Sequence, residues 1–256
     1  LFAMLFRDFQ QSPPGGLRFS DGFKPKSGDV PASILVDPQA QDAMFLAHDG
    51  KEWLYGAQEL KGGNYETRLG LTTGDAAGTS VAIGCTFERA FADAVPIAGG
   101  FLAAIAATGG VDGGCDAGMP GPASGPLVAR FQGGVLAEVS SFGFGAIRDL
   151  QAAKRGDGAW LVWFDPGGED QPDSLVIMAV DGFGDPVIEP YSMSTLCEQG
   201  SLEVTSFEDF LAVACIQPEP EGASPHVQVF DPDGVARGEI KVAATGSIHP
   251  GKYARG

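Results

Sequence analysis

One stretch of the chain, residues 156–186, contains two apolar runs separated by a polar loop and bounded by turn residues. The runs are 160–164 and 175–180, with Gly156-Asp157-Gly158 before the first and Asp181-Gly182 after the second. β-Branched and aromatic runs between turn residues predict antiparallel strands. The same arrangement recurs about every 50 residues, so it constrains the fold of the whole chain.

Each repeat is anchored on the first residue of its second, most apolar strand. The anchors are Leu1, Trp53, Phe101, Trp160 and Phe210, separated by 52, 48, 59 and 50 positions. The long Gly/Pro-rich insert 109–125 accounts for the largest spacing. A first strand precedes each later anchor, and the four predicted segments are 43–47, 92–97, 150–153 and 202–205. Third strands are predicted at 17–20, 67–72, 126–131, 175–180 and 227–230, and weaker fourth strands at 33–36, 135–139 and 240–243.

Four short strands per unit of this length are typical of a β-propeller blade. Helical periodicity is not sustained anywhere, so residues 1–256 are predicted to form a single all-β domain. Residues 252–256 align with the first strand of the preceding repeat. The C-terminus would then supply the first strand of the blade that the N-terminus begins, giving five blades. The alternative is a piece of a larger propeller.

The units GDGAWLVWFDP…SLVIMAVDGFGDP and EDFLAVACIQP…HVQVFDPDG resemble the β-propeller repeats of secreted and envelope proteins of bacteria. The resemblance covers nearly the whole chain. The Gly-His and Trp-Asp marks of WD40 repeats and the paired glycines of kelch repeats are absent. The resemblance implies a fold and carries no functional residues with it.

The net charge is −17, with 33 acidic and 16 basic residues and no stripe of Lys or Arg. A nucleic-acid partner is therefore not expected. The acidic surface is either a solvated surface or one that binds a cation or a basic partner. No apolar run reaches the ~18 residues of a membrane span. No signal peptide is visible, and an opening on Leu1 is compatible with a missing upstream segment.

Cys85, Cys115, Cys197 and Cys215 form an even set without a CxxC motif or a Cys/His cluster. Disulfides in an oxidising compartment are therefore a better interpretation than zinc, and three pairings are possible. In the propeller frame, Cys85 and Cys197 fall in connectors between blades. Pairing Cys85 with Cys115 and Cys197 with Cys215 then joins neighbours within a blade. The alternative is buried free thiols, above all for Cys215. The predicted location is extracellular, periplasmic or at the cell surface.

Motifs for nucleophilic hydrolysis and for nucleotide binding are absent. The chain has no GxSxG, and its histidines are His48, His226 and His249, the last two beside prolines in predicted loops. Surface or packing roles are expected for these histidines, and no cofactor is predicted. Asp231-Pro232-Asp233-Gly234 resembles the opening of a calcium loop, but Asp-Gly is also a strong hairpin turn.

Paired carboxylates are the one enzymatic alternative. Asp42 and Asp149 each stand 11 residues before an anchor, near the start of a first strand, with Asp93 and Glu203 as looser analogues. Some five-bladed propellers are glycoside hydrolases with such carboxylates around a central cavity. Exposed connector residues are the simpler interpretation.

The predicted binding surface is a face of long, acidic, Pro/Gly-rich loops. Its residues are Glu169, Asp170, Asp173, Glu219 and Glu221. Loops on a rigid scaffold usually carry recognition. The sequence thus favours a non-catalytic binding or structural module with a protein partner, or less readily a glycan. The alternatives are a glycoside hydrolase and a subunit of a larger surface assembly.

Overall fold

The chain folds almost entirely into antiparallel β-strands in the computed structural model. The structure describes residues 3–8, 15–21, 34–37, 42–73, 77–107, 114–117, 121, 124–166, 173–194, 197, 200–219 and 222–241. Within these residues there are 19 strands and one four-residue helix, α1 (Gly114–Ala117). The predicted all-β class is confirmed. No helix in this described part is long and apolar enough to span a membrane.

The first compact unit comprises the described residues of Leu1–Ala90 and Ala107–Ala123. It contains two sheets in which strands adjacent in sequence are hydrogen-bonded neighbours. The first sheet has β1 (Ala3–Asp8), β2 (Gly15–Asp21) and β3 (Ile34–Asp37), and the second has β4 (Asp42–His48), β5 (Trp53–Lys61), β6 (Asn64–Thr72) and β7 (Ala77–Thr86). Contacts of β1 with β4 and of β3 with β7 pack the two sheets together.

The second compact unit comprises the described residues of Phe91–Ala106 and Ser124–Lys252 and contains three four-stranded sheets. The first sheet has β8 (Ala92–Ile97), β9 (Gly100–Ile105), β10 (Ser124–Gln132) and β11 (Val135–Ala146). The second has β12 (Arg148–Arg155), β13 (Gly158–Asp165), β14 (Ser174–Val180) and β15 (Pro186–Ser194). The third has β16 (Glu203–Phe207), β17 (Phe210–Glu219), β18 (Gly222–Phe230) and β19 (Ala236–Lys241). The first strands β8, β12 and β16 contact one another in succession.

The strand positions follow the predicted repeat closely. Trp53 and Phe210 begin their strands, Phe101 is the second residue of β9, and Trp160 is the third residue of β13. Leu1 and the predicted closing strand 252–256 lie outside the described residues. Two fourth strands, β7 and β15, have no counterpart among the predicted segments. The sequence of β7 consists mostly of small residues and glycines, so it lacks the apolar run that predicts a strand. The strand β15 contains two prolines, which usually argue against a strand but are tolerated at the edge of a sheet.

The core of the second unit explains why the second strands are apolar throughout. All seven residues from Gly158 to Phe164 are buried, so β13 is covered on both faces. Trp160, Val162 and Phe164 belong to a cluster that continues into the neighbouring sheet through residues such as Phe230. This shared core fixes the sheet of β12–β15 against that of β16–β19. The substitution Trp160→Ala would lower the free energy of unfolding by about 3–5 kcal/mol, because it removes a fully buried side chain from this core.

Both predicted disulfide pairings are present. Cys85 is bonded to Cys115 with their Cα atoms 4.9 Å apart, and Cys197 is bonded to Cys215 with their Cα atoms 5.6 Å apart. The connector position predicted for Cys85 is wrong, because this residue lies within β7, near the end of the fourth strand. The Cys85–Cys115 bond therefore joins β7 to α1 and does not lie within one four-stranded sheet, contrary to the prediction. Cys115 lies in α1, between β9 and β10, as the insert predicted.

Candidate interaction surface

The structure describes only part of the predicted acidic loop face. Asp173 is half-buried just before β14, and Glu219 is the last residue of β17. Glu169, Asp170 and Glu221 lie outside the described residues. A binding role for these five residues stays a prediction.

The two carboxylates considered for catalysis have structural contacts in their own units. Asp42 begins β4 in the first unit, and its Oδ2 lies 3.0 Å from Arg89 Nη2 in an exposed ion pair. Asp149 lies in β12 of the second unit, with a positive φ of 56°, at a bulge where the register shifts between Arg148 and Gln151. Its Oδ2 accepts the backbone N–H of Leu202 at 3.1 Å.

Asp93, the looser analogue of Asp149, makes the equivalent contact one sheet earlier. Its Oδ2 accepts the backbone N–H of Ala152 at 3.0 Å, while its Oδ1 accepts that of Ala94 at 2.9 Å. Asp93 and Asp149 therefore each connect the first strand of one sheet to the first-strand region of the next. Such charge-assisted hydrogen bonds are among the stronger ones in proteins. The sequence pairs Asp149 with Asp42 and does not predict this structural role for Asp93 and Asp149.

Asp231 organises a hairpin turn. Its Oδ1 accepts the backbone N–H groups of Asp233 (3.1 Å) and Val235 (2.8 Å), and its Oδ2 accepts Arg237 Nε (2.7 Å). Burial raises the pKa of this carboxyl, but the two N–H donors and the Arg237 guanidinium outweigh that effect and lower it. The hairpin interpretation of Asp231-Pro232-Asp233-Gly234 thus accounts for its contacts. Across the described part of the chain, no group of three His, Cys, Asp or Glu side chains is placed to hold a metal ion.

The same turn occurs 50 residues earlier. Asp181 Oδ1 accepts the backbone N–H groups of Phe183 (2.8 Å) and Asp185 (3.0 Å), as Asp231 does for its own turn. The repeat therefore extends from strand spacing to the hydrogen bonding of individual turns.

The turns between first and second strands and between third and fourth strands lie at one edge of each sheet, because successive strands of a meander reverse direction. In the second unit, contacts between neighbouring sheets join these edges. The backbone N–H of Ala98 donates to Asp157 Oδ1 at 2.6 Å, and Trp160 Nε1 donates to the carbonyl oxygen of Asp209 at 3.1 Å. We call this surface the turn face; it comprises residues 98–99, 133–134, 156–157, 181–185, 207–210 and 231–235 with the strand ends beside them.

Two arginines hold the turn face together from the adjacent strands. Arg130 lies over the ring of Phe183, with the guanidinium carbon 4.7 Å from the ring centroid. Arg155 donates to the carbonyl oxygen of Pro232 at 2.9 Å. The hydroxyl of Tyr191 donates to the carbonyl oxygen of Gly234 at 2.6 Å. Burial, and secondarily the Asp231 carboxylate, raises the pKa of that tyrosine.

Large apolar side chains are concentrated on the turn face. Six of them are exposed there: Val135 (63%), Phe183 (60%), Val187 (48%), Phe207 (77%), Phe210 (40%) and Val235 (52%). Among the described residues of the second unit, Phe91 at 39% is the one other exposed large hydrophobic residue. Single exposed apolar residues are ordinary, but a concentration on one surface indicates an interaction site.

The turn face is also acidic. Its six turn segments contain seven acidic residues and no basic one. The carboxylates of Asp181 and Asp231 are used within their turns. Asp157, Glu208 and Asp209 are exposed. The surface therefore combines apolar anchors with a negative rim.

The first unit has a buried charged cluster that sequence reasoning missed. Glu66 is 1% exposed; its Oε2 accepts the backbone N–H of Cys115 at 2.9 Å, and its Oε1 accepts Arg68 Nη1 at 2.8 Å. Lys61 lies near the same carboxylate and also pairs with Asp116. The hydrogen bond to Asp116 raises the pKa of Lys61. Burial lowers this pKa, and the negative charge of Glu66 raises it further, so the net shift is upward. The cluster attaches α1 to β6 beside the Cys85–Cys115 bond.

The turn face was also missed, although a signal for it was available. Phe183 stands in a turn, and Phe207 and Phe210 are the paired strand residues on either side of another turn, where an apolar side chain is not required by the hairpin. An aromatic residue at a turn could have been read as an exposed anchor. The prediction instead concentrated on the loops at the opposite edge, because they are longer and more acidic.

Comparison with known proteins adds no assignment. The chain matches no protein-family model, and no curated protein matches it significantly.

Proposed function

We propose that this chain is a five-bladed β-propeller that binds a protein partner outside the cytoplasm. Three features support the fold: the 50-residue repeat, the four-stranded meander sheets, and the successive contacts of the first strands β8, β12 and β16. The two disulfides support an extracellular, periplasmic or cell-surface location, because such bonds persist in oxidising compartments.

The observation that carries the binding function is the apolar, acidic turn face. Exposed Phe183, Phe207 and Phe210 stand on a rigid framework of buried strands, so they lose little conformational freedom on binding. The acidic residues around them favour a partner segment in which apolar side chains are flanked by Lys or Arg. A glycan is less well supported, since Trp53, Trp160 and Trp163 are buried and not available for stacking on sugars.

The fold is tested by small-angle X-ray scattering of the 256-residue chain. A single compact domain of 256 residues should have a radius of gyration of about 18 Å. A value well above this, with a scattering profile of two separate bodies, would contradict the propeller.

The binding surface is tested by selecting peptides from a displayed library on the immobilised protein. We expect the selected peptides to combine aromatic or aliphatic residues with Lys or Arg, and to bind more weakly at high salt. The double variant Phe183→Ser, Phe207→Ser should lose at least about tenfold in affinity, because buried aromatic anchors dominate interface energies.

Phe87→Ser is the matched control. Phe87 is 60% exposed, like Phe183, but lies in the first unit and outside the turn face. It should bind the selected peptides as the wild type does. Equal binding by the double variant, or selected peptides without basic residues, would refute the assignment of this surface.

A further inference from the structure

Three side chains of the β16–β19 sheet form a relay that the sequence did not predict. Ser224 Oγ lies 3.0 Å from His226 Nε2, and His226 Nδ1 lies 2.6 Å from Glu239 Oε1. The predicted loop position of His226 is wrong, since this residue lies inside β18 and is 9% exposed. A hydroxyl, an imidazole and a carboxylate within hydrogen-bonding distance in this order are the signature of an activated nucleophile.

The sheet fixes this geometry. Ser224 and His226 are two residues apart on β18, so their side chains lie on the same face. Glu239 lies on the adjacent strand β19, opposite Gln228 and therefore diagonal to His226. On the other side, His226 is directly opposite Cys215, which is held by its disulfide. The imidazole is thus positioned between two neighbouring strands.

The donor and acceptor roles of the two His226 ring nitrogens depend on its tautomer. In the tautomer that pairs with an ionised Glu239, Nδ1 carries the proton, because a carboxylate only accepts hydrogen bonds. In the neutral imidazole, Nε2 then has a lone pair, and Ser224 Oγ–H donates to it. This is the tautomer in which a histidine removes a proton from a serine.

We propose that Ser224, His226 and Glu239 form an acyl-transfer site for small activated esters. Ser224 Oγ attacks the ester carbonyl carbon as its proton moves to His226 Nε2. The bond from that carbon to the alkoxy oxygen breaks, and the alcohol leaves with the proton from Nε2. A water molecule then gives one proton to Nε2 and its hydroxyl to the acyl carbon. The acyl–Oγ bond breaks, Ser224 recovers its proton from Nε2, and a carboxylic acid is released.

Access favours a small substrate. Ser224 is partly exposed and the Glu239 side chain is 51% exposed, whereas His226 is nearly covered. The three residues lie away from the turn at 231–235, which follows the other end of β18. The site is therefore separate from the proposed partner-binding surface, and each can be tested without altering the other.

The test uses the whole protein with a fluorophosphonate probe, followed by intact mass and peptide mapping, and with p-nitrophenyl acetate as substrate. Labelling forms a bond from Oγ to phosphorus and releases fluoride and the serine proton. We expect one adduct, at Ser224, which Ser224→Ala and His226→Gln abolish. Glu239→Gln should slow labelling and ester hydrolysis at least about tenfold, since loss of the orienting carboxylate in such a relay typically costs far more.

Ser192→Ala is the matched control, because Ser192 is an exposed serine on the neighbouring edge strand β15. It should label like the wild type. Near-ultraviolet circular dichroism checks that each variant is folded, and the exposed Glu239 gives an informative variant even if His226→Gln does not fold. An unlabelled wild-type Ser224, or labelling of Glu239→Gln at the wild-type rate, would overturn the proposal.

Discussion

Asp149 combines an unusual backbone conformation with a hydrogen bond between sheets, and the two contributions can be separated by substitution. Its φ of 56° lies in the left-handed region, and its carboxylate accepts the N–H of Leu202 at 3.1 Å. A hydrogen bond to a charged group contributes about 1.5–3 kcal/mol. The left-handed conformation costs a residue with a Cβ about 1–2 kcal/mol, although Asn and Asp tolerate it and Gly is free of it.

Three variants of Asp149 should therefore differ in a fixed order. Asp149→Asn keeps an acceptor and tolerates the conformation, so it should lose about 1 kcal/mol of unfolding free energy. Asp149→Gly loses the hydrogen bond to Leu202 without a backbone cost, about 1.5–3 kcal/mol. Asp149→Ala loses the hydrogen bond and adds the backbone cost, about 2.5–5 kcal/mol in all.

Urea unfolding followed by tryptophan fluorescence measures this order, because Trp160 and Trp163 lie in β13, the strand hydrogen-bonded to β12. The linear dependence of free energy on urea gives each difference. An alanine variant at least as stable as the glycine variant would refute the backbone argument. A loss of the same size in all three would show that the charge alone matters.

Two further predictions concern charged residues with structural roles. The pKa of Asp231 lies below its ordinary 3.8, so its stabilisation is present above that pH and is lost as the pH falls through the lowered value. Arg237→Gln should therefore lower the urea midpoint of unfolding at about pH 6. The difference in midpoint between the variant and the wild type should vanish towards about pH 2, where Asp231 is protonated. A difference in midpoint that does not change with pH would contradict this explanation. Glu66→Ala removes the acceptor of the Cys115 backbone N–H, so hydrogen–deuterium exchange of that amide, followed by mass spectrometry, should accelerate by at least about tenfold. The acceleration should be smaller in the control Glu59→Ala. Equal protection of the amide in both variants would show that the disulfide alone holds the segment.

The repeat was readable from sequence because strand formation depends on local pattern. The run 160–164 is apolar at every position, since β13 is buried on both faces, and the glycines beside it mark the turns. The cysteine pairing was readable for a related reason. Cys85 and Cys197 were each assigned to a connector and paired with the cysteine that follows next in the chain, and both pairs are the bonded ones although the connector position of Cys85 is wrong.

The two strands without a predicted counterpart show where pattern becomes uninformative. Pro186 and Pro190 in β15 argue against a central strand, because proline has no N–H to donate to a neighbouring strand. An edge strand tolerates them, because one of its sides has no neighbouring strand to bond. The strand β7 carries Cys85 among small residues, so it was taken for a connector.

The sequence by itself determined the all-β class, the 50-residue repeat and the cysteine pairs, because these depend on apolar runs, turn residues and short separations along the chain. Only the tertiary structure decided which side chains meet. Ser224, His226 and Glu239 come together through the register of β18 and β19, and the exposed phenylalanines share one surface because the sheets present their turn edges together. The register of β18 and β19 depends on the geometry of the turn that joins them, and the packing of sheets depends on contacts between residues far apart in the chain, so the alternation of apolar residues alone does not show which side chains meet.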